Sequence, residues 1–129
     1  MINILVVTHG LLAEGLIHSA KMLIGDAEKL DFLSFAKDMG QEELTEALSE
    51  KMKGLSTGEQ LLIFCDIVGG TPFNISSRFS FNNENIAVFY GVNLPVLVEA
   101  VLTREGKNLQ ELTSFLVESS KNSLGLSEL

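Results

Sequence analysis

The chain has 129 residues, 46% of them hydrophobic and 20% charged, with 17 acidic and 9 basic side chains for a net charge of −8. That balance is globular rather than disordered, and the acidic excess argues against nucleic acid and anionic lipid as partners. A single cysteine, Cys65, excludes an intramolecular disulfide framework and a cysteine-only metal site, and the two histidines are few enough to weigh one at a time.

Residues 2–8 are a short β-branched run that closes on His9 and Gly10. The run is too short to span a membrane and lacks the flanks of an export signal, so a buried strand in a reducing, cytoplasmic protein is expected. Leu12–Ile24 has apolar residues at Ala13, Leu16, Ile17, Ala20, Leu23 and Ile24, the spacing of one helical face. Leu30–Phe35 reads as a second strand, and Gln41–Lys53 as a helix with Leu44, Ala47, Leu48 and Met52 on one side. Residues 60–66 form a third, wholly apolar strand that ends at Asp66, and 72–79 a short helix. A fourth strand is expected over 85–90 and helices over 94–104 and 109–121, the last opened by a capping box from Asn108 to Glu111. Leu124, Leu126 and Leu129 leave the tail, 122–129, as an extra edge strand or a frayed end.

Strands that alternate with helices imply βαβ units, and continuous apolar runs imply strands covered on both faces. The expected fold is therefore α/β, a mainly parallel sheet of four strands flanked by helices on both faces, in one domain over 1–129. Residues 94–102, from Leu94 to Leu102, carry one charge, Glu99. A helix apolar nearly all round needs cover on more than one side, which points to a second subunit.

Ligands of parallel α/β sheets gather beyond the carboxyl ends of the strands. His9 stands at such an end, whereas His18, between Glu14 and Lys21 on the polar side of the first helix, reads as solvated. Asp66 ends an apolar strand and needs a partner for its carboxylate. If the first and third strands are neighbours, Asp66 reaches His9, fixes its tautomer and frees the other ring nitrogen as a nucleophile or proton acceptor. After Asp66 comes Gly69-Gly70-Thr71-Pro72-Phe73-Asn74. Thr71 suits an N-cap and Pro72 the first helical position, so a helix start should present backbone amides to an anion. The donors would be the amides of Gly69, Gly70, Thr71, Phe73 and Asn74 with the Thr71 hydroxyl. No arginine or lysine lies in these loops, which suits brief residence of a phosphoryl group more than tight nucleotide binding. Cys65 alternates away from Asp66 and reads as core.

Several other classes lack their residues here. A dinucleotide site needs more glycine after the first strand, no Walker motif is present, and a receiver domain needs acidic residues near the first strand's end. A cysteine phosphatase needs an arginine in the loop after its thiol, and here the first is Arg78. A histidine phosphatase is nearer, although Thr8 stands where an arginine would precede His9-Gly10. A non-catalytic regulatory α/β dimer also fits the apolar helix.

Three segments taken together, Ile4 through Thr8-His9-Gly10, Asp66 with Gly69 through Asn74, and Gly91-Val92-Asn93-Leu94-Pro95, resemble the IIA component of mannose-family sugar phosphotransferase systems. The likeness runs in order from Ile2 to about Lys121. It implies that His9 accepts a phosphoryl group on Nε2 from the carrier protein HPr. The group then passes to a IIB component, which phosphorylates sugar during transport through membrane components IIC and IID. Asp66 matches the carboxylate that orients the ring, and Thr71 a Ser/Thr position beside the phosphoryl group. The resemblance further implies an α/β homodimer, a free-standing IIA protein, and chemistry that requires neither metal nor cofactor. Subunits of this family can exchange a C-terminal edge strand; the tail that would form it here is short and contains Gly125. The sugar is not legible, because specificity in such systems lies in the membrane components.

Overall fold

A computed structural model describes all residues, 1–129. Four strands, β1 (Asn3–His9), β2 (Leu30–Phe35), β3 (Leu61–Cys65) and β4 (Ile86–Tyr90), form one wholly parallel sheet in the order β2-β1-β3-β4. The helices are α1 (Leu12–Ile24), α2 (Gln41–Lys53), α3 (Thr71–Ser80), α4 (Leu94–Thr103) and α5 (Leu109–Ser120). The tail adds no fifth strand, and Leu124, Leu126 and Leu129 are exposed.

The two-residue period of the central strands builds a core on each side of the sheet. Ile4 and Val6 of β1 with Leu62 and Phe64 of β3 face α1, α4 and α5, where they meet Ala13, Leu16, Ile17, Leu97, Ala100, Leu112 and Leu116. Leu5, Val7, Ile63 and Cys65 face α2 and α3, where they meet Leu44, Leu48 and Ile75. All five residues of β3 are buried, as its unbroken apolar run requires, whereas β2 and β4 at the edges are half-buried. On α1 the buried stripe is Ala13, Leu16, Ile17 and Ala20; Leu23, expected to continue it, lies past the edge of the core and is exposed.

The apolar helix α4 is covered mainly by its own chain. Val96, Leu97 and Ala100 are buried, Leu94, Val98 and Val101 are partly buried, and Leu102 is exposed. Its composition follows from packing on the sheet with α1 and α5 alongside, so it does not by itself demand a second subunit. Its start is fixed by Asn93, whose Oδ1 accepts from the Val96 amide at 3.0 Å. The capping box of α5 forms as expected: Asn108 Oδ1 accepts from the Glu111 amide at 2.8 Å and Glu111 Oε1 accepts from the Asn108 amide at 3.0 Å.

The amino ends of the strands carry a separate polar clamp. Buried Arg104 donates from Nη1 to the carbonyls of Ile2 and Lys29, both at 3.0 Å, and from Nη2 to the carbonyl of Glu28. Glu59 accepts from Asn3 Nδ2 at 2.9 Å, Lys29 Nζ at 3.1 Å and the Ser56 amide at 2.8 Å. These bonds lower the Glu59 pKa to about 2, the Asn3 bond contributing most. The charged residues of this end thus hold chain crossings together, and the carboxyl ends of β1 and β3 are left to the candidate site.

Candidate functional site

The chain leaves β1 toward β2 on one side and reaches β3 on the other, so the sheet reverses its winding between β1 and β3. Loops diverge at such a point and leave a crevice beyond the carboxyl ends of the strands. His9 is the last residue of β1, and Asp66 directly follows β3. Helix α1 leaves over one face, and α3 starts over the other.

The pairing register brings the two residues together. Asn3 is paired with Leu61 and Val7 with Cys65, and the Asn3 amide donates to the Gln60 carbonyl at 2.9 Å. Parallel ladders repeat this bond every two residues, so the His9 amide would next meet the Asp66 carbonyl. That carbonyl instead accepts from the Gly91 amide at 3.0 Å. The Asp66 side chain takes its place: Oδ2 accepts from the His9 amide at 3.1 Å and lies 2.7 Å from His9 Nδ1. One carboxylate oxygen therefore closes the sheet ladder and holds the ring.

The environment determines the protonation states. The Asp66 side chain is only 13% exposed and its Oδ1 is buried without a hydrogen-bond partner, whereas the His9 side chain is 43% exposed. Burial raises the Asp66 pKa, but the bonds from the His9 ring and amide outweigh it and hold the carboxyl below its ordinary value. An ionised carboxylate only accepts, so the proton between the two groups belongs on Nδ1, and in the neutral ring the lone pair falls on Nε2. Phe35, the residue paired with His9 on β2, sets its ring edge-on to the imidazole, with centroids 5.8 Å apart and planes at 77°.

The loop after Asp66 differs in detail from the expectation. Helix α3 starts at Thr71 with Gly70 as its N-cap residue, so Thr71 is not the cap and Pro72 lies one position further in. Pro72 has no amide hydrogen, and Gly70 at the N-cap has no side-chain oxygen to accept from the others, so the first turn keeps unpaired donors. The Thr71 and Phe73 amides find no acceptor within the chain. Asn74 does not join them: its amide donates to the Gly70 carbonyl at 2.9 Å, and its side-chain Nδ2 donates to the Gly69 carbonyl at 3.1 Å. Asn74 is a brace of the glycine turn. Gly69 has φ +83°, a left-handed conformation that favours glycine.

Thr8, read from sequence only as part of the strand end, is fully buried, and its Oγ1 accepts from the Ala13 amide at 2.7 Å. It supplies the cap that Leu11, at the N-cap position of α1, cannot. Phe35 is the other contact that sequence reasoning missed; its only signal is its place at the end of the neighbouring strand. The His18 side chain is exposed and makes no hydrogen bond or ion pair, and Cys65 is buried beside Ser76, with burial pushing its thiol up to about 12. Tyr90 packs edge-on against Phe73 at 5.8 Å, and the Val92 amide donates to the Cys65 carbonyl at 3.1 Å, so the third strand-end loop serves as scaffold.

The fold and this constellation define a parallel α/β protein with a surface imidazole held by a carboxylate, beside a helix start with free amides. Comparison with known proteins gives that class its family. The family model described as "PTS system fructose IIA component" matches residues 3–117. The chain is 35% identical over 121 residues, 93% of its length, to the PTS system mannose-specific EIIAB component of Escherichia coli K12, and it spans 38% of that longer protein. It is 31% identical to the PTS system fructose-specific EIIA component of Bacillus subtilis 168, covering 95% of this chain and 84% of that one. The crystal structure of phosphotransferase system component EIIA from Streptococcus agalactiae superposes with a TM-score of 0.89 at 30% identity, covering 98% of this chain and 97% of that one. The chain belongs to the mannose/fructose family of phosphotransferase-system IIA components.

Proposed function

We propose that this chain is a phosphocarrier of a sugar-uptake phosphotransferase system: His9 Nε2 accepts a phosphoryl group from phospho-HPr and hands it to a IIB component. The observation that carries the reading is the 2.7 Å bond between His9 Nδ1 and Asp66 Oδ2, which leaves Nε2 unprotonated on an exposed ring. The Nε2 lone pair forms the new P–N bond while the P–N bond to the donor's histidine breaks and its electron pair returns to that nitrogen. Nδ1 keeps its proton throughout. The ring gains positive character on phosphorylation, and ionised Asp66 offsets it.

Phosphoryl transfer has a loose, in-line transition state, so alignment and charge stabilisation carry the catalysis. The Thr71 and Phe73 amides and the Thr71 hydroxyl at the start of α3 are the donors on hand for the phosphoryl oxygens, with the Gly69-Gly70 turn leading into them. No cationic side chain pairs with Asp66, and no group of three or more potential metal ligands gathers in the chain. An exposed ring suits a protein donor and a protein acceptor, each bringing its own reactive group to Nε2.

Residues 1–129 act as one IIA domain in this reading, in the cytoplasm, with IIC and IID as the membrane components downstream. No helix is long and apolar enough to cross a membrane. The working unit is a homodimer. Its support is the resemblance, the exposed Leu102 of α4, and a groove of about 370 Å³ beside edge strand β4, lined by Phe89, Val117 and Leu124.

The reading is tested by loading the protein from phospho-HPr, removing the donor and adding a IIB protein. Label that stays on the chain until IIB arrives is the expected result. Steady release of inorganic phosphate without IIB would make the protein a histidine-phosphatase-like enzyme, and failure to take label would leave a regulatory dimer.

A further inference from the structure

The two adjacent glycines of the loop are there for different reasons. Gly69 needs its left-handed φ; Gly70, at φ −76° and ψ 169°, has a backbone conformation open to any residue. What a side chain at Gly70 would meet is the imidazole. A Cβ built there lies 2.9 Å from His9 Cε1 and 3.2 Å from Ile67 Cγ1, whereas carbon atoms pack best at about 3.5–4.0 Å. The ring occupies the space of the missing side chain.

We propose that Gly70 is a positioning residue for His9: the space left by its missing Cβ seats Cε1, and so determines where both ring nitrogens point. This rests on His9 being the phosphoryl acceptor. Cε1 is bonded to both Nδ1 and Nε2, so contact at Cε1 governs both. On the other sides, Asp66 Oδ2 holds Nδ1 and the Phe35 ring stands edge-on. At 2.9 Å a Cβ at position 70 is too close to Cε1 for both to stay, and on this proposal the ring moves away from Gly70. That motion stretches the Asp66 bond and swings Nε2 away from the amides of α3.

The test uses Gly70→Ala and Gly70→Ser. Both add the Cβ, but serine caps a helix well and alanine poorly, so the pair separates crowding from capping. The tautomer-sensitive ¹⁵N signals of the His9 ring and the rate of phosphoryl acceptance from phospho-HPr are measured on each folded variant. Both variants should lose the pure Nδ1–H signature of the wild type in favour of a tautomer mixture. Both should accept phosphate about tenfold to a hundredfold more slowly, as small misplacements of reacting groups do. Gly70→Ser should be no faster than Gly70→Ala.

An unchanged ring signature in Gly70→Ala would overturn the assignment, whatever the rate. So would wild-type transfer by Gly70→Ser, which would make the defect one of capping. Loss of the fold in both variants would contradict it too, because the scaffold and not the ring would have yielded. A wild-type protein that takes no phosphate would refute the carrier function alone, since the ring signature reports on Gly70 without any transfer.

Discussion

Asp66 Oδ2 accepts from both the His9 amide and the His9 ring, and this double duty shapes the effect of a substitution there. In Asp66→Asn the side chain must keep an oxygen toward the amide donor, so the same oxygen continues to hold Nδ1–H. The tautomer survives and the charge is lost. A hydrogen bond to a charged group exceeds a neutral one by about 1–2 kcal/mol, so acceptance of phosphate should slow by about tenfold with the fold intact. Single-turnover transfer from phospho-HPr measures this, and an unchanged rate would remove Asp66 from the proposed role. Because the Asp66 pKa is lowered, what its charge contributes is full above the ordinary carboxyl value and is lost as pH falls through the depressed one. His9 and Asp66 were legible as a pair because each sits at the end of an apolar strand. Thr71 and Asn74 were misassigned in part, because a one-residue shift of a helix start decides which amides are free and sequence fixes such boundaries poorly.

At the level of the elements, all four strands and five helices were readable from apolar period, and the capping box at Asn108 from its spacing. The order of the strands was not. Nothing in β1 or β3 alone states that they are neighbours; their continuous apolar runs only say that both are central. The clamp at the amino ends was also invisible, since Asn3, Lys29 and Glu59 are far apart in the chain. It makes a prediction of its own. The Glu59 pKa, near 4.5 ordinarily, is lowered to about 2 in the fold, so its ionised form adds stability that is complete above the ordinary value and is lost as pH falls to about 2. Glu59→Gln should therefore lower stability at neutral pH, and the gap from wild type should close between about pH 5 and pH 2. Denaturant melts across that range check it. A gap that stays constant with pH would mean that the Glu59 bonds do not depend on its charge.

On the scale of the whole molecule, the sheet presents its reactive end between helices of opposite faces, with the charged clamp at the far end. Edge strand β4 has one unpaired side, and the leucines of the tail are exposed. A second copy can cover those surfaces. Sedimentation at micromolar concentration should give a dimer; a monomer throughout would contradict that assembly. The apolar composition of α4 foretold less than it seemed to, because α1 and α5 account for most of its burial. The central claim, that His9 carries the phosphoryl group, is tested most directly by intact mass after incubation with phosphoenolpyruvate, enzyme I and HPr. The wild type and His18→Ala should each gain one acid-labile phosphoryl group per chain, and His9→Ala none. A phosphorylated His9→Ala protein, or an unmodified wild type, would contradict the account.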